Sequence, residues 1–417
     1  MPGPSSAQAV HACETARMLR RAASTALFLL VTLVSAVASA DPEKLKVVVP
    51  EKDNLQYMTF WVAKAGGFFL KRGIDIEMVV APHPAKAESM FDSGEGDAAV
   101  LPPPMFLRMV AGKKPIVLVA TLLRNDPINL VVRKEVMEER KLSPDMPLAE
   151  RMKGIKGMKI GIAPHPPARL RALLATQGMT DKDIEMVVIL GKEQNTAFHD
   201  KKVDALYAHT PYLEKAIVAD QGVVLINQSG GEVKELSHRL IHGFVFRKSV
   251  YEGRNHIALA AVQALADAQK LIHSSKQQTV TALAKEYPTR PTKELETIVD
   301  LYQQAIPDTP DVRVEDIAPA LDLFPEAVPK PDLAGMDFAP FVATDLAVKA
   351  RETGDGGRAG RMIVMVIGSL MAVVSILFIL KNRKSIGQPD DKKDDEKKPD
   401  ASKAETKKEE KAEEGDA

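Results

Sequence analysis

The stretch 66-GGFFLKRGIDIE-77 marks a change from helix to strand. Apolar residues have helical spacing from about Gln56 to Ala65, and the paired glycines that follow are typical of a helix end. The β-branched run Ile74–Val80 predicts a strand. Because Lys46–Val49 upstream also has the pattern of a strand, this part of the chain predicts a β-α-β unit with parallel strands.

The same alternation of short β-branched runs and helical patterns continues along the chain. Further strands are predicted at 98–101, 116–122, 158–163, 184–190, 205–207 and 223–226, and helices at 85–91, 105–111, 167–177 and 211–219. The remainder is helical, with helices predicted at 255–273, 277–286, 293–305 and 315–323. The pattern indicates an α/β protein with mostly parallel sheets in two lobes, with the extended segments 129–133 and 240–246 running between them.

The stretch 66–77 resembles the opening motif of type 2 periplasmic substrate-binding proteins of the nitrate, sulfonate, taurine and thiamine-pyrimidine group. Four further stretches follow in that family's order and spacing: 94-GEGDAAVL-101, 112-GKKPIVLV-119, 155-IKGMKIGI-162 and 202-KVDALYAHTP-211. The resemblance covers about residues 45–345. It implies a clamshell of two α/β lobes joined by two crossing strands, with a small ligand held in the cleft.

The resemblance also implies domain boundaries and partners. Residues 41–128 and 240–350 are expected to form lobe 1, residues 129–239 lobe 2, and residues 351–361 a linker. Proteins of this family deliver a small-molecule ligand to the permease and ATPase subunits of an ABC importer, and the same role is expected here. Two alternatives stay open: a receptor ectodomain that senses its ligand, and a binder of a small anion such as a sulfonate or nitrate.

The N-terminal residues 1–40 have the parts of a secretory signal peptide. A basic start precedes the uncharged run 22–37, and Ala38-Ser39-Ala40 supplies the small-x-small cleavage pattern. We therefore expect the mature protein to begin at Asp41, whether translation starts at Met1 or at Met18. The only cysteine, Cys13, lies within the removed segment, which excludes a lipoprotein anchor and a disulfide framework.

The C-terminal part predicts a membrane anchor. Residues 362–380 contain no charged side chain and are long enough to cross a bilayer as a helix. Because basic residues follow directly, the positive-inside rule places the C-terminus in the cytoplasm and the globular part in the periplasm, at the inner membrane. The tail 381–417 is rich in Lys, Glu and Asp and is predicted to be disordered.

Candidate ligand-binding residues follow two predicted strands of lobe 1. Gln56 and Tyr57 lie at the entry to the first helix, where Gln56 offers a donor and an acceptor and Tyr57 a stacking face with a hydroxyl. The same positions also suit a surface glutamine and a core tyrosine. Pro103, within Pro102-Pro103-Pro104 after the third strand, has no amide donor and is expected to shape the cleft wall.

Lobe 2 contributes four candidates. His165 and Arg169 lie in a turn that opens a helix, where family members often carry hydroxyl residues that bind an anion. Neutral His165 could hydrogen-bond a heterocycle, although a helix-capping or exposed histidine suits this position as well. His209 and Thr210 follow the strand ending at Tyr207, in a turn that faces the cleft in the family; Thr210 also suits a helix cap.

One more candidate, His242, lies on the second crossing strand. It alternates with Phe244 and Phe246, so the three side chains would lie on the same face of a strand. That face could pack inward. Its imidazole could face the hinge side of the cleft or point away from it.

Composition excludes several classes of function. The chain has 417 residues with 56 basic and 56 acidic side chains, so it lacks the basic footprint of a nucleic-acid-binding protein. Its nine histidines lack the spacing of a zinc site, and no metal or other cofactor is expected. Because nucleophile elbows and phosphate-binding loops are absent from the sequence, the chain is predicted not to be an enzyme.

The same residues indicate a ligand class. Pro166 and Pro167 remove two amides that would cradle an oxyanion at the helix start, which disfavours nitrate and sulfonates. The candidate side chains suit a small, mostly neutral nitrogen heterocycle, such as a thiamine-type pyrimidine. If the ligand is an anion, Arg169 or Arg171 would have to supply the missing donors.

Overall fold

The structure is a computed structural model of the chain. It describes residues 41–82, 84–163, 167–324 and 335–352, together with Gly368, Met371 and Ser375. The predicted signal peptide, nearly all of the predicted membrane helix and the charged tail lie outside the described residues. The described residues fall into two units, 41–352 and the three residues Gly368, Met371 and Ser375, and these three are helical. No helix in the described part of the chain is long and apolar enough to span a membrane.

Strands of the described part form two five-stranded sheets. The first sheet has the order β2-β1-β3-β10-β4 and the second the order β7-β6-β8-β5-β9. The strands are β1 Glu43–Val49, β2 Ile74–Val80, β3 Ala98–Leu101, β4 Ile116–Leu123, β5 Asn129–Arg133, β6 Lys159–Ile162, β7 Glu185–Val188, β8 Ala205–Ala208, β9 Gly222–Ile226 and β10 His242–Arg247. Strands predicted at 74–80 and 98–101 have the predicted bounds.

Each sheet is mixed, because one inner strand runs against its neighbours. In the first sheet β1 is parallel to β2 and β3, whereas β10 is antiparallel to β3 and β4. In the second sheet β6 is parallel to β7 and β8, whereas β5 is antiparallel to β8 and β9. The two antiparallel strands contain most of the two segments predicted to run between the lobes. The chain therefore passes from one sheet to the other after β4 and returns before β10.

Helices surround both sheets. They are α1 Met58–Ala65, α2 Phe68–Lys71, α3 Ala87–Ser93, α4 Pro103–Ala111, α5 Lys134–Glu139, α6 Leu148–Gly154, α7 Pro167–Ala175, α8 Gln194–His199, α9 Glu214–Val218, α10 Lys248–Gly253, α11 Asn255–Ser274, α12 Lys276–Glu286 and α13 Thr292–Tyr302. The helix predicted at 211–219 begins three residues later, at Glu214. The helix predicted at 315–323 is instead two 3₁₀ turns, Val314–Asp316 and Ala318–Asp322.

The glycine pair at the end of α1 behaves as its sequence predicts. Gly66 caps α1, and Gly67 has φ 72°, a left-handed conformation that costs a residue with a side chain more than it costs glycine. The chain then forms the short helix α2 before β2 begins. Above the first sheet, Phe60 of α1 packs against Trp61 and Phe244, with ring centroids 5.2 and 6.1 Å away. This core holds the loop between β1 and α1 in place.

Candidate functional site

The loop between β1 and α1 is fixed by hydrogen bonds to Asn54. The side chain of Asn54 accepts a hydrogen bond from the backbone N–H of Gln56, 3.0 Å away, and its carbonyl accepts one from Trp61 Nε1, 2.9 Å away. Leu55–Tyr57 forms a 3₁₀ turn in which Gln56 and Tyr57 are buried. Gln56 is therefore held in one position beneath the surface. The alternative prediction, an exposed glutamine at the start of the helix, is wrong.

The amide of Gln56 joins two histidines that come from different sheets. Its Nε2 lies 2.7 Å from His209 Nδ1, and its Oε1 lies 3.0 Å from His242 Nε2. His209 directly follows β8 of the second sheet, whereas His242 opens β10 of the first. The ring of Tyr57 lies against that of His242, with centroids 4.7 Å apart. Four residues predicted as ligand-binding are thus linked by a chain of contacts from Tyr57 through His242 and Gln56 to His209.

One arrangement of hydrogen atoms satisfies the contacts within this cluster. His209 Nδ1 is also 2.5 Å from the carbonyl oxygen of Thr210, an acceptor, so a proton on Nδ1 would donate to it. Gln56 Nε2 could donate to His209 only if Nδ1 carried no proton, and this would leave two acceptors 2.5 Å apart. With the amide of Gln56 reversed, its oxygen accepts from His209 Nδ1 and its nitrogen donates to His242 Nε2. His242 Nδ1 is buried without a hydrogen-bond partner among the described residues. In this arrangement the cluster has a donor at His242 Nδ1 and an acceptor at His209 Nε2.

Burial keeps these rings neutral at pH 7. It lowers the pKa of His209 from 6.5 to about 4, although the Thr210 carbonyl opposes this shift. Burial also lowers the pKa of His242 well below its usual value, and the nearby charge of Arg169 adds to the effect. The pKa of Tyr57 is raised, again mainly by burial. The cluster therefore offers polar groups without a net charge.

Arg169 faces inward beside this cluster and is already paired. Its Nη1 donates to Asp126 Oδ1 at 3.1 Å, and its guanidinium lies over the ring of Phe324, 4.1 Å from the centroid. Burial raises the pKa of Asp126, and Arg169 opposes that rise. Arg171 instead pairs with Asp181 at 2.7 Å on the surface. Of the two arginines considered as anion donors, only Arg169 lies near the site.

Thr210 has its polar groups engaged inside the protein. Its backbone N–H donates to the hydroxyl of Tyr302 at 2.8 Å, and its own hydroxyl donates to Glu214 Oε1 at 3.2 Å. The peptide bond from Thr210 to Pro211 is cis. Because α9 begins at Glu214 with Leu213 as its N-cap residue, Thr210 does not cap that helix. Its position supports the turn that presents His209.

A buried ion pair near Thr210 was not predicted from the sequence. Arg290 Nη1 donates to Glu214 Oε1 at 3.0 Å, and Glu214 is fully buried. Arg290 Nη2 lies 3.5 Å from the carbonyl oxygen of Asp53, in the loop that carries Gln56. This arginine therefore ties helix α9, which follows a strand of the second sheet, to the loop after β1 of the first sheet.

Pro103, like Arg169, makes no described polar contact with the cluster. Pro103 is buried at the first turn of α4, two residues after Leu101, which pairs with Gly243 beside His242. His165 lies outside the described residues, so its role stays a prediction. Among the described residues, no group of three or more His, Cys, Asp or Glu side chains could hold a metal ion.

The sequence match to a known family includes this whole cluster. A model of the NMT1-like family matches residues 40–285, a range that contains Gln56, Arg169, His209 and His242. The chain belongs to the NMT1-like family. It is also 28% identical over 157 residues to a putative thiamine biosynthesis protein of Haemophilus influenzae. That match covers 37% of this chain and 46% of the relative, so it spans less than half of either protein.

Solved structures share the fold at low sequence identity. The periplasmic aliphatic sulphonate binding protein SsuA of Escherichia coli matches with a TM-score of 0.53 and 19% identity, over 68% of this chain and 92% of its own. The periplasmic nitrate-binding protein NrtA of Synechocystis PCC 6803 matches with 0.52 and 16%, over 75% and 89%. The desulfurization enzyme DSZB matches with 0.51 and 12%, over 75% and 99%. The predicted resemblance to periplasmic binding proteins is confirmed for the fold, which the enzyme shares.

Proposed function

We propose that the chain is an extracytoplasmic solute-binding protein that delivers a small ligand to the permease and ATPase subunits of an ABC importer. The observation that carries this proposal is the Gln56 bridge between His209 and His242. Ligands of open α/β sheets bind beyond the carboxyl ends of strands, where Gln56 and His209 lie. A ligand that replaced the bridge would contact residues from both sheets at once.

In this proposal the two sheets belong to two lobes that close on the ligand. Lobe 1 consists of residues 41–128 and 240–350, and lobe 2 of residues 129–239. The contacts of Gln56 with His209 and of Arg290 with Glu214 join the two sides and suit a closed form. Opening would break both contacts and lose their contribution to the stability of the closed form. A ligand bound to both lobes would favour the closed form again.

The ligand that the site suits best is a small neutral nitrogen heterocycle, such as a thiamine-type pyrimidine. Gln56 and two neutral imidazoles offer both donors and acceptors, and Tyr57 offers a ring face. The charge of Arg169 is matched by Asp126, so no free cation is provided there for an anion. Pro167, the first residue of α7, also has no amide to donate.

A small anion is the second candidate, because Arg169 points inward. Its Nε is buried without a hydrogen-bond partner among the described residues. Protonation of Asp126 would leave the guanidinium with an uncompensated charge, which a sulfonate or nitrate could neutralise. The raised pKa of Asp126 supports this alternative, and separate calorimetric titrations of the two ligand classes distinguish it from the first.

The protein would act at the periplasmic face of the inner membrane. Residues 362–380, predicted as a single membrane-spanning helix with the C-terminus in the cytoplasm, would hold it there. Tethering raises the effective concentration of the binding protein near its permease compared with a freely diffusing relative. Only Gly368, Met371 and Ser375 of this segment are among the described residues, and its support is the uncharged sequence and the basic flank that follows it.

Substitution of Gln56 tests the role of the bridge. A thermal-shift screen of heterocycles, sulfonates and nitrate on the full chain identifies a ligand, and calorimetry then compares the native protein with Gln56→Leu. Loss of one or more buried hydrogen bonds should weaken binding about tenfold or more. His165→Ala, measured in the same way, tests the remaining histidine candidate.

Gln269→Leu is the matched control. Gln269 is also fully buried and donates to the carbonyl oxygen of Thr121 at 2.9 Å, but it lies on α11, outside the cluster. It should lower the stability of the protein without changing ligand affinity. If both variants bind the ligand as tightly as the native protein, the proposed site is wrong.

A further inference from the structure

A pocket lies where the chain passes between the two sheets. It has a volume of about 500 Å³ and is separate from the cluster around Gln56. Its lining includes Arg124 and Asn125 from the segment after β4, His238 from the segment before β10, and His273 of α11. Residues 303–308, which follow α13, complete the wall. The cavity therefore touches both connections between the sheets.

Hydrogen bonds connect the segments that line the cavity. Asn125 Nδ2 donates to the carbonyl oxygen of Ser229 at 3.2 Å, and Asn125 Oδ1 accepts from the backbone N–H of His238 at 3.1 Å. The backbone N–H of Arg124 donates to the carbonyl oxygen of Ala305 at 2.9 Å. A change in the geometry of either connection would therefore move the lining of the cavity.

The backbone at His238 has a conformation that few residues other than glycine adopt, although histidine does so more often than most. Its φ is 56°, in the left-handed region that residues with a side chain rarely adopt. Such conformations persist only where surrounding contacts enforce them. The second connection between the sheets is thus held under constraint at a residue that lines the cavity.

The polar groups at the cavity favour a negatively charged ligand. Arg124 Nη2 is buried and has no hydrogen-bond partner among the described residues. Arg124 Nε lies 3.2 Å from Asp316 Oδ2, so the carboxylate balances the charge of Arg124, and an anion would be held by the unpartnered Nη2 hydrogen atoms. The acidic residue in the lining, Asp308, has a side chain that is 94% exposed and can turn into solvent. A buried N–H without a partner gains most from an anionic oxygen.

We propose that this hinge cavity binds a small oxyanion, carboxylate or phosphate, and that its occupancy shifts the equilibrium between open and closed forms of the protein. An anion on Arg124 would contact both connections, and its contacts would differ between the two forms. The binding step is independent of the proposed function. The effect on opening rests on the proposed two-lobed closure, and the two are measured separately.

Charge changes at Gln304 test the binding step without disturbing the buried ion pair. Gln304 lines the cavity and is exposed, so it tolerates substitution. Inorganic phosphate and succinate are titrated separately into the full chain by calorimetry. Gln304→Glu should weaken binding about fivefold and Gln304→Lys should strengthen it by a similar factor, because one charge changes beside the ligand. The same substitutions at exposed Gln277 of α12, outside the lining, should leave binding unchanged.

Spin-label distances test the effect on opening. In a Cys13→Ser background, labels at Ser89 of α3 and at Lys192 after β7 report on the separation of the two sheets. Labels at Ser89 and Lys270 of α11 serve as the control, since α11 packs on the first sheet. Whichever anion binds should change the first distance distribution and leave the second unaltered.

Each outcome decides one part of the proposal. Absence of binding by both anions, or equal binding in the Gln304→Glu and Gln304→Lys variants, would overturn the site. Binding that follows the charge at residue 304 without any change in the first distance would overturn the control of opening. Preference for phosphate or for succinate would identify the ligand class.

Discussion

His209 should make the stability of the protein depend on pH. Burial lowers the pKa of its imidazole to about 4, whereas an unfolded chain keeps a value of about 6.5. Between these values the unfolded state binds more protons, so the contribution of neutral His209 is complete above pH 6.5 and is lost as pH falls through 4. At about 1.4 kcal/mol for each pKa unit, the full loss is about 3 kcal/mol, of which about 2 kcal/mol is lost by pH 5.

Urea denaturation of the native protein and of His209→Gln, at about pH 7.5 and about pH 5, measures this effect. The native protein should lose about 2 kcal/mol more free energy of unfolding than the variant between the two values. His199→Gln is the control, because His199 is an exposed residue at the end of α8. NMR titration of the His209 ring gives its pKa directly. Equal pH dependence in all three proteins would refute the reasoning, since it would mean that His209 titrates alike in both states.

Further predictions concern the buried ion pair and the two termini. Arg290→Met should lower the free energy of unfolding by about 3–5 kcal/mol, because it leaves Glu214 buried without its partner. In chemical denaturation, the double variant Arg290→Met with Glu214→Gln should recover part of that loss. If the effects of the two single substitutions simply add, the two side chains do not interact. Intact-mass analysis should find Asp41 at the mature N-terminus, and retention of residues 1–40 would disprove cleavage. A tag after Ala417 should resist protease in intact spheroplasts while residues 41–350 are digested; digestion of the tag would reverse the predicted topology.

The parts of the fold that the sequence predicted best are bounded apolar strands. Ala98–Leu101 is fully buried, starts after Gly96-Asp97 and ends at three prolines, so both its type and its bounds follow from local residues. Helices α5, α6 and α8 were not predicted, because they are short and their polar residues give little periodicity. The predicted helix at 315–323 failed where Pro319 removes an amide donor, and the chain there forms 3₁₀ turns instead.

Some residues of the site could likewise be predicted from the local sequence, and others could not. Gln56 and His209 could be proposed because each follows a predicted strand, and the carboxyl ends of strands come together at the edge of a sheet. Asp126 and Glu214 could not, since single acidic residues usually face solvent. Their partners, Arg169 and Arg290, are 43 and 76 residues away in the chain, and only the folded structure brings each pair together.

The most direct test of the account is a comparison of ligand classes by calorimetry on the purified full chain. A thiamine-type pyrimidine, nitrate, taurine and an alkanesulfonate are titrated under the same conditions. The neutral cluster of Gln56, His209 and His242 predicts binding of the pyrimidine with one site per chain, and a loss of affinity of about tenfold or more in Gln56→Leu. Tight binding of nitrate, taurine or the alkanesulfonate, with no binding of the pyrimidine, would contradict the account and identify Arg169 as the anion donor.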